Sequence, residues 1–244
     1  MNANMLTWNV DWLRNGKRSG KDWEYLERDC LDDVYTQIIN IVRKYIDMNE
    51  NAVAFLNEFP YKFKSNGKWR ESPFFQRLKD DFPPEEYDIY FNKMFATNLS
   101  LAISKRKLFQ ENEIQSLKHN RIISVKKDDL IMIGVHMPTN FIENDDYDKL
   151  WIALKSYICK CSLPTVVLGD FNAYVGCNEK LTENRYLEIL QITDDVVPKN
   201  ETTYIGKTLI DHILIKNVSE KKLASVQKEF QFSDHKYITY SINT

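Results

Sequence analysis

Along this 244-residue chain, one apolar run after another ends on a side chain that can handle protons or cations. Asn9 and Asp11 close the run that begins at Met5, Glu58 follows Val53-Ala54-Phe55-Leu56-Asn57, and His136 ends Ile131-Met132-Ile133-Gly134-Val135. Gly169-Asp170-Phe171-Asn172 follows Val166-Val167-Leu168, Asp211 sits between Leu209-Ile210 and Ile213-Leu214, and Ser233-Asp234-His235 precedes a final apolar run. Carboxylates and carboxamides with no cysteine among them suit a hard cation, Mg²⁺ or Mn²⁺, and disfavour zinc. An acid–base Asp, a charged His and a hydrogen-bonding Asn beside such a cation would meet the needs of in-line attack by water on a phosphodiester. Those needs are a Lewis acid, an activated nucleophile and charge stabilisation on the phosphoryl oxygens.

Each residue also has a plainer reading. Asp170 and Asn172 could simply turn the chain after a strand, but their i, i+2 spacing puts both side chains on one face. Asp211 is flanked by aliphatics, which favours burial with a partner over an exposed edge carboxylate. His235 is the natural partner, since a buried carboxylate would hold its ring and raise its basicity. His212 is expected to face the other way in a structural role. His136 reads equally as loop or site, and His119 as surface. Glu58, before Phe59-Pro60, has no helix to cap and leans toward metal.

These side chains need rigid elements to bring them together. Leu31, Val34, Tyr35, Ile38, Val42, Tyr45 and Ile46 repeat at helical spacing and predict a helix over about 29–47; Tyr147, Leu150, Trp151, Leu154 and Ile158 predict another over about 144–161. Short β-rich runs supply about ten strands: Met5–Val10, Ala52–Leu56, Tyr87–Phe91, Leu99–Ile103, Arg121–Val125, Leu130–Val135, Thr165–Leu168, Leu209–Ile215, Leu223–Gln227 and Tyr237–Ile242. That is too much sheet for one layer, so two packed sheets with outer helices are expected. Seven Gly and seven Pro form no linker and no low-complexity tract, so residues 1–244 read as a single domain. The start lacks the pattern of a signal peptide and no run is long enough to cross a membrane, so a cytoplasmic, monomeric protein is expected. Cys30, Cys159, Cys161 and Cys177 read as structural thiols.

Thr7-Trp8-Asn9-Val10-Asp11-Trp12-Leu13-Arg14, Leu56-Asn57-Glu58, Gly134-Val135-His136-Met137-Pro138, Leu168-Gly169-Asp170-Phe171-Asn172-Ala173, Ile210-Asp211-His212-Ile213-Leu214 and Ser233-Asp234-His235 occur in the order found in the endonuclease/exonuclease/phosphatase superfamily. The match runs from residue 7 to 235 and resembles DNase I, exonuclease III and the abasic-site endonucleases. The resemblance implies an α+β fold, a four-layer α/β/β/α sandwich with two central mixed sheets. It implies a metal held by Glu58 with Asn9, Asp11 and Asp234. Asp170 would orient or deprotonate the attacking water, Asn172 would bind phosphate and nucleophile, His235 held by Asp211 would stabilise the phosphate, and His136 would act as acid or phosphate ligand. In related nucleases such chemistry leaves a 3′-hydroxyl and a 5′-phosphate.

The opening resembles the exonuclease III branch, but Phe59-Pro60-Tyr61, Gly206-Lys207-Thr208-Leu209-Ile210-Asp211 and Lys236-Tyr237 depart from the abasic-site enzymes. Lys62, Lys64, Lys68, Trp69 and Arg70 mix cations with an aromatic just after Glu58, as a loop gripping a nucleic-acid backbone would, or as a solvated loop. The formal charge of −2 argues against binding through bulk basicity, yet setting aside the five site acids leaves a small positive excess elsewhere. The leading expectation is a Mg²⁺-dependent nuclease acting on DNA, with RNA possible. The alternatives are a phosphatase or phosphodiesterase for phosphoinositides, sphingomyelin or soluble phosphate esters, and a catalytically silent binding module.

Overall fold

The computed structural model describes residues 2–13, 28–65, 67–94, 96–138, 145–178, 180–205, 207–230 and 232–243. Arg14 and Gly206 of the motifs above, and the side chain of Lys64, lie outside the described residues.

The elements run β1 (Asn2–Asn9), α1 (Arg28–Met48), β2 (Ala52–Pro60), β3 (Lys62–Ser65), β4 (Lys68–Glu71), α2 (Pro73–Asp81), β5 (Tyr87–Phe91) and β6 (Asn98–Lys105). They continue with β7 (Gln110–Glu111), β8 (Ile122–Lys127), β9 (Leu130–His136), α3 (Asp145–Lys160), β10 (Thr165–Asp170), α4 (Lys180–Leu190), β11 (Asp194–Asp195), β12 (Asp211–Lys216), β13 (Ser225–Val226) and β14 (Ile238–Asn243). Two six-stranded sheets form, in the orders β13-β14-β1-β2-β6-β5 and β11-β12-β10-β9-β8-β7. Both are mixed: β1 runs parallel to β2 and antiparallel to β14, and β10 runs parallel to β9 and antiparallel to β12.

Strand alternation sorts the apolar side chains into three cores. Met5, Val53, Phe55, Met132, Leu168 and Ile213 fill the space between the sheets. Leu6, Trp8, Ala54 and Leu56 face α1 and α2 on one outer side. Ile133, Val135, Val167 and Leu214 face α3 and α4 on the other. The result is the expected four-layer α/β/β/α sandwich. Close sheet packing explains Gly134, where a Cβ would sit 2.4 Å from Cδ1 of Phe55.

Some elements were not anticipated. α2 begins on Ser72, whose side chain accepts from Phe74 N–H, with a proline in its first turn, and it buries Phe74, Phe75 and Leu78. α4 buries Tyr186 and Ile189 together with the polar Thr182 and Glu183. The cationic segment after β2 is a hairpin rather than a loop, with Lys62 opposite Glu71 and Lys64 opposite Trp69. No helix among the described residues is long and apolar enough to cross a membrane.

Candidate active site

The alternation that fills the inter-sheet core also delivers its polar end. Continuing the inward-facing series along each strand leads to Asn9 on β1, Asn57 on β2, His136 on β9, Asp170 on β10 and Asp211 on β12. Register then aligns them: Asp170 is paired with His136 on one side and Asp211 on the other, and Asn9 with Asn57. All five are buried. They form a polar floor at one edge of a hydrophobic interior.

The floor is tightly bonded. Asn57 Nδ2 donates to Val135 O at 2.9 Å and its Oδ1 accepts from Ser100 Oγ at 2.7 Å, which ties the two sheets beneath the site. Asn9 Nδ2 donates to Asp170 Oδ2 at 2.9 Å and to Glu58 Oε1 at 3.3 Å, while its Oδ1 accepts from Asp11 N–H. Ser233 Oγ donates to Asn9 O and accepts from His235 N–H, and Trp8 Nε1 donates to His235 O, so the Ser233-Asp234-His235 segment is fixed to β1.

Above this floor, a cavity of about 340 Å³ is lined by Asp11, Glu58, Asp170, Asn172, Tyr204, Ile210, Asp234 and His235. The backbone is strained where it feeds the cavity. Glu58 (φ 55°) lies in an irregularity of the β2–β6 ladder that turns its side chain out of the pleat. Asp11 (φ 42°) and Asn172 (φ 50°) are also left-handed, as is Phe232 (φ 61°) just before Ser233. Such conformations persist where surrounding bonds over-determine them. For Asn172 these include its own N–H donating to Asp170 Oδ1 at 2.7 Å and its Nδ2 donating to Met137 O and Asp170 Oδ2. Thus Asp170 and Asn172 both make a turn and share one face. Gly169 (φ 138°) is required because a Cβ there would lie 2.1 Å from Val135 O.

Electrostatics separate the titratable groups. Burial pushes Asp170 up to about 7, with the Asp211 charge adding to the effect and His235 opposing it. His235 loses basicity by burial, but Asp211, Asp170 and Asp234 more than restore it, to about 10. Its Nδ1 donates to Asp211 Oδ2 at 2.9 Å, leaving Nε2 3.9 Å from Asp170 Oδ2 and 3.8 Å from Asp234 Oδ1. Burial also raises Asp234, with Asp11 and Glu58 contributing and His235 opposing. His136 is held well below the usual histidine range, by burial first and then by Arg121. Its Nε2 lies 3.1 Å from Glu58 Oε1, and Arg121 sits against the same ring at 3.0 Å.

Asp234 Oδ1 is buried without a hydrogen-bond partner, and the charges of Asp11 and Glu58, which line the same cavity, act on this carboxylate. An orphaned carboxylate oxygen among further carboxylates is the donor set a hard divalent cation fits. Donor atoms of Glu58, His136 and Asp170 lie within 4.8 Å of one another, as do those of Asp170, Asp211 and His235.

Asn9, Asp11, Glu58, His136, Asp170, Asn172, Asp211, Asp234 and His235 thus converge from six segments. Asn9, His136 and Asp211 stand behind the cavity wall rather than on it. Lys62, Lys68, Trp69 and Arg70 do not join them. They lie on the hairpin that leaves β2 just past Glu58; Lys68, Trp69 and Arg70 are exposed, and Lys62 Nζ lies 5.2 Å from the centre of the Tyr61 ring. His212 faces away, as expected. Sequence reasoning missed Asn57, Arg121, Ile210 and Tyr204, whose ring tilts against His235 at 5.0 Å. Only Asn57 and Ile210 carried a signal, as motif neighbours of Glu58 and Asp211.

No protein-family model and no curated protein matches the sequence. Solved structures match over essentially the whole chain. The 3′ phosphatase NExo from Neisseria, bound to product DNA hairpin, is 16% identical with a TM-score of 0.63, covering 99% of this chain and 100% of that one. An AP endonuclease from Archaeoglobus fulgidus is 16% identical with a TM-score of 0.62, covering 98% of each chain. A humanized D. rerio TDP2 is 14% identical with a TM-score of 0.59, covering 100% of this chain and 99% of that one. With its two mixed sheets between helical layers, the chain shares the fold of these structures, a DNase I-like α/β/β/α sandwich.

Proposed function

We propose that this chain is a Mg²⁺-dependent phosphodiesterase that hydrolyses nucleic acid, DNA foremost, leaving 3′-hydroxyl and 5′-phosphate ends. The observation that carries the reading is the pair of opposed titratable groups on one cavity: a carboxyl raised to about 7 beside an imidazole raised to about 10. Asp170 near neutrality is suited to accept a proton from the attacking water, and His235 stays cationic to meet a phosphoryl oxygen. Asn172 spends its NH₂ on Met137 O and Asp170, which leaves its Oδ1 to accept the water's other hydrogen. Asp211 keeps the His235 ring aimed and charged.

Glu58, Asp11 and Asp234 would hold the cation, with Asn9 and His136 orienting Glu58. When bound, the cation supplies Lewis acidity and offsets the site's negative charge. The hairpin cations Lys62, Lys64, Lys68 and Arg70, with Trp69, would grip the backbone of an extended substrate, which favours nucleic acid over small phosphate esters. Two solved structures of the same fold, a 3′ phosphatase bound to product DNA hairpin and an AP endonuclease, support this reading. A panel of single-stranded, double-stranded and abasic oligonucleotides assayed beside phosphoinositides, sphingomyelin and soluble phosphate esters tests the reading. Metal-dependent cleavage of oligonucleotides is expected; turnover confined to the esters would replace it with a phosphatase.

A further inference from the structure

Adjacent residues of β12 belong to two Asp–His pairs set back to back. Asp211 faces the cavity and holds His235, whereas His212 faces α4 and is held by Asp195. His212 is buried, with its ring between Phe171 (centroids 5.7 Å) and Tyr186 (4.6 Å). Its Nδ1 lies 2.8 Å from Asp195 Oδ2 and 2.9 Å from Tyr186 Oη, and Asp195 Oδ1 is fixed by Val197 N–H. Its Nε2 lies 2.8 Å from Ala173 O; a carbonyl only accepts, so Nε2–H is the donor of this bond.

Ala173 directly follows Asn172, whose left-handed backbone would relax without restraint. Phe171 N–H donates to Ile210 O on one side of this turn, and His212 captures Ala173 O on the other. We infer that His212, braced by Asp195 and Tyr186, is a positioning residue that locks the Asp170–Ala173 turn and so presents Asp170 and Asn172 to the substrate. It touches nothing in the cavity and acts only through the turn. The inference rests on the phosphodiesterase reading for its kinetic consequence, but not for its structural one.

The test compares His212→Ala, His212→Gln and Asp195→Asn with wild type under conditions where circular dichroism shows each folded. For His212→Ala, kcat should fall about 30- to 100-fold, the scale expected when reacting groups move by about 1 Å, with KM changing less than about 3-fold. His212→Gln, whose amide can still donate to Ala173 O, should recover most of the loss. Asp195→Asn should lose about 5- to 10-fold in kcat and carries the test if His212→Ala fails to fold. Amide hydrogen exchange at Asn172, whose N–H is held by Asp170, is a readout independent of turnover; it should accelerate in His212→Ala and Asp195→Asn but not in His212→Gln. Unchanged kcat and unchanged exchange in Asp195→Asn, or equal impairment of the Ala and Gln variants at position 212, would overturn the proposal. If wild type cleaves nothing while exchange still responds as stated, the positioning role stands and the phosphodiesterase reading falls.

Discussion

Replacing Asn57 with alanine removes one of the hydrogen bonds that join the two sheets under the site, leaving the one from Asn9 to Asp170 in place. The side chain is fully buried and makes two hydrogen bonds, to Val135 O at 2.9 Å and from Ser100 Oγ at 2.7 Å. Truncation leaves that carbonyl and that hydroxyl without this partner, at about 1–3 kcal/mol for each buried group left unsatisfied, so a total near 3 kcal/mol is expected. The gap cannot close from the neighbouring strand, because Gly169 has no side chain to fill it. For a chain of this size, about 2–4 °C per kcal/mol translates the loss into a fall in Tm of roughly 6–12 °C. Ser100→Ala should cost less, about 1–2 kcal/mol, since it strands only Asn57 Oδ1. The double variant should be less destabilised than the sum of the two by at least about 0.5 kcal/mol, because both substitutions remove the same bond. Urea unfolding of the four proteins closes the cycle. A loss below about 1 kcal/mol in Asn57→Ala would refute the Val135 contact as a bond that helps hold the sheets together beneath Glu58, and strict additivity would refute the coupling of Asn57 to Ser100 within its own sheet.

Asp211→Asn should lower kcat by about 10²–10³-fold, most steeply at alkaline pH where a less supported His235 loses its proton within the assay range; a pH–rate profile from 6 to 10 checks it. In metal-free protein, the Asp170 carboxyl keeps its proton to about pH 7 when folded and ionises near pH 4 when unfolded, so its contribution favours folding at low pH and is lost as pH rises between those values. Asp170→Asn should therefore be more stable than wild type at pH 8, by at most about 4 kcal/mol, with the difference vanishing toward pH 4 in chelator-containing melts. Gly134→Ala drives a methyl to within 2.4 Å of the Phe55 ring and should cost about 1–3 kcal/mol, partly restored by Phe55→Leu, as Tm of the single and double variants will show.

What was legible in the sequence follows from how each feature is encoded. Long strands with clean alternation and the two long helices have a period to detect, and α1 ends within a residue or so of its expected bounds. Two-residue strands such as β7, β11 and β13 have no period at all. α4 was hidden by burying Thr182 and Glu183 on its inner face, and α2 by its brevity despite the Ser72-Pro73 start. The β3–β4 hairpin carries exposed charge and forms a two-stranded sheet of its own, so its pattern gives little sign of an inside and an outside. In the site, Glu58, Asp170, Asp211 and His235 announced themselves because ionisable groups at the ends of apolar runs are costly unless used. Arg121, Asp195 and Tyr204 act through partners 15, 17 and 31 positions away, and no local spacing encodes such contacts.

If Asp170 and its neighbours activate water against a phosphodiester, the oxygen added to the product comes from solvent and its arrival depends on Asp170. Single-turnover cleavage of a labelled oligonucleotide in ¹⁸O water, with Mg²⁺, by wild type and Asp170→Ala, measures it directly. The expected result is one ¹⁸O on each new 5′-phosphate, none on the 3′-hydroxyl, and a rate at least about 100-fold lower in Asp170→Ala. Label-free product, or equal rates in the two proteins, would contradict it.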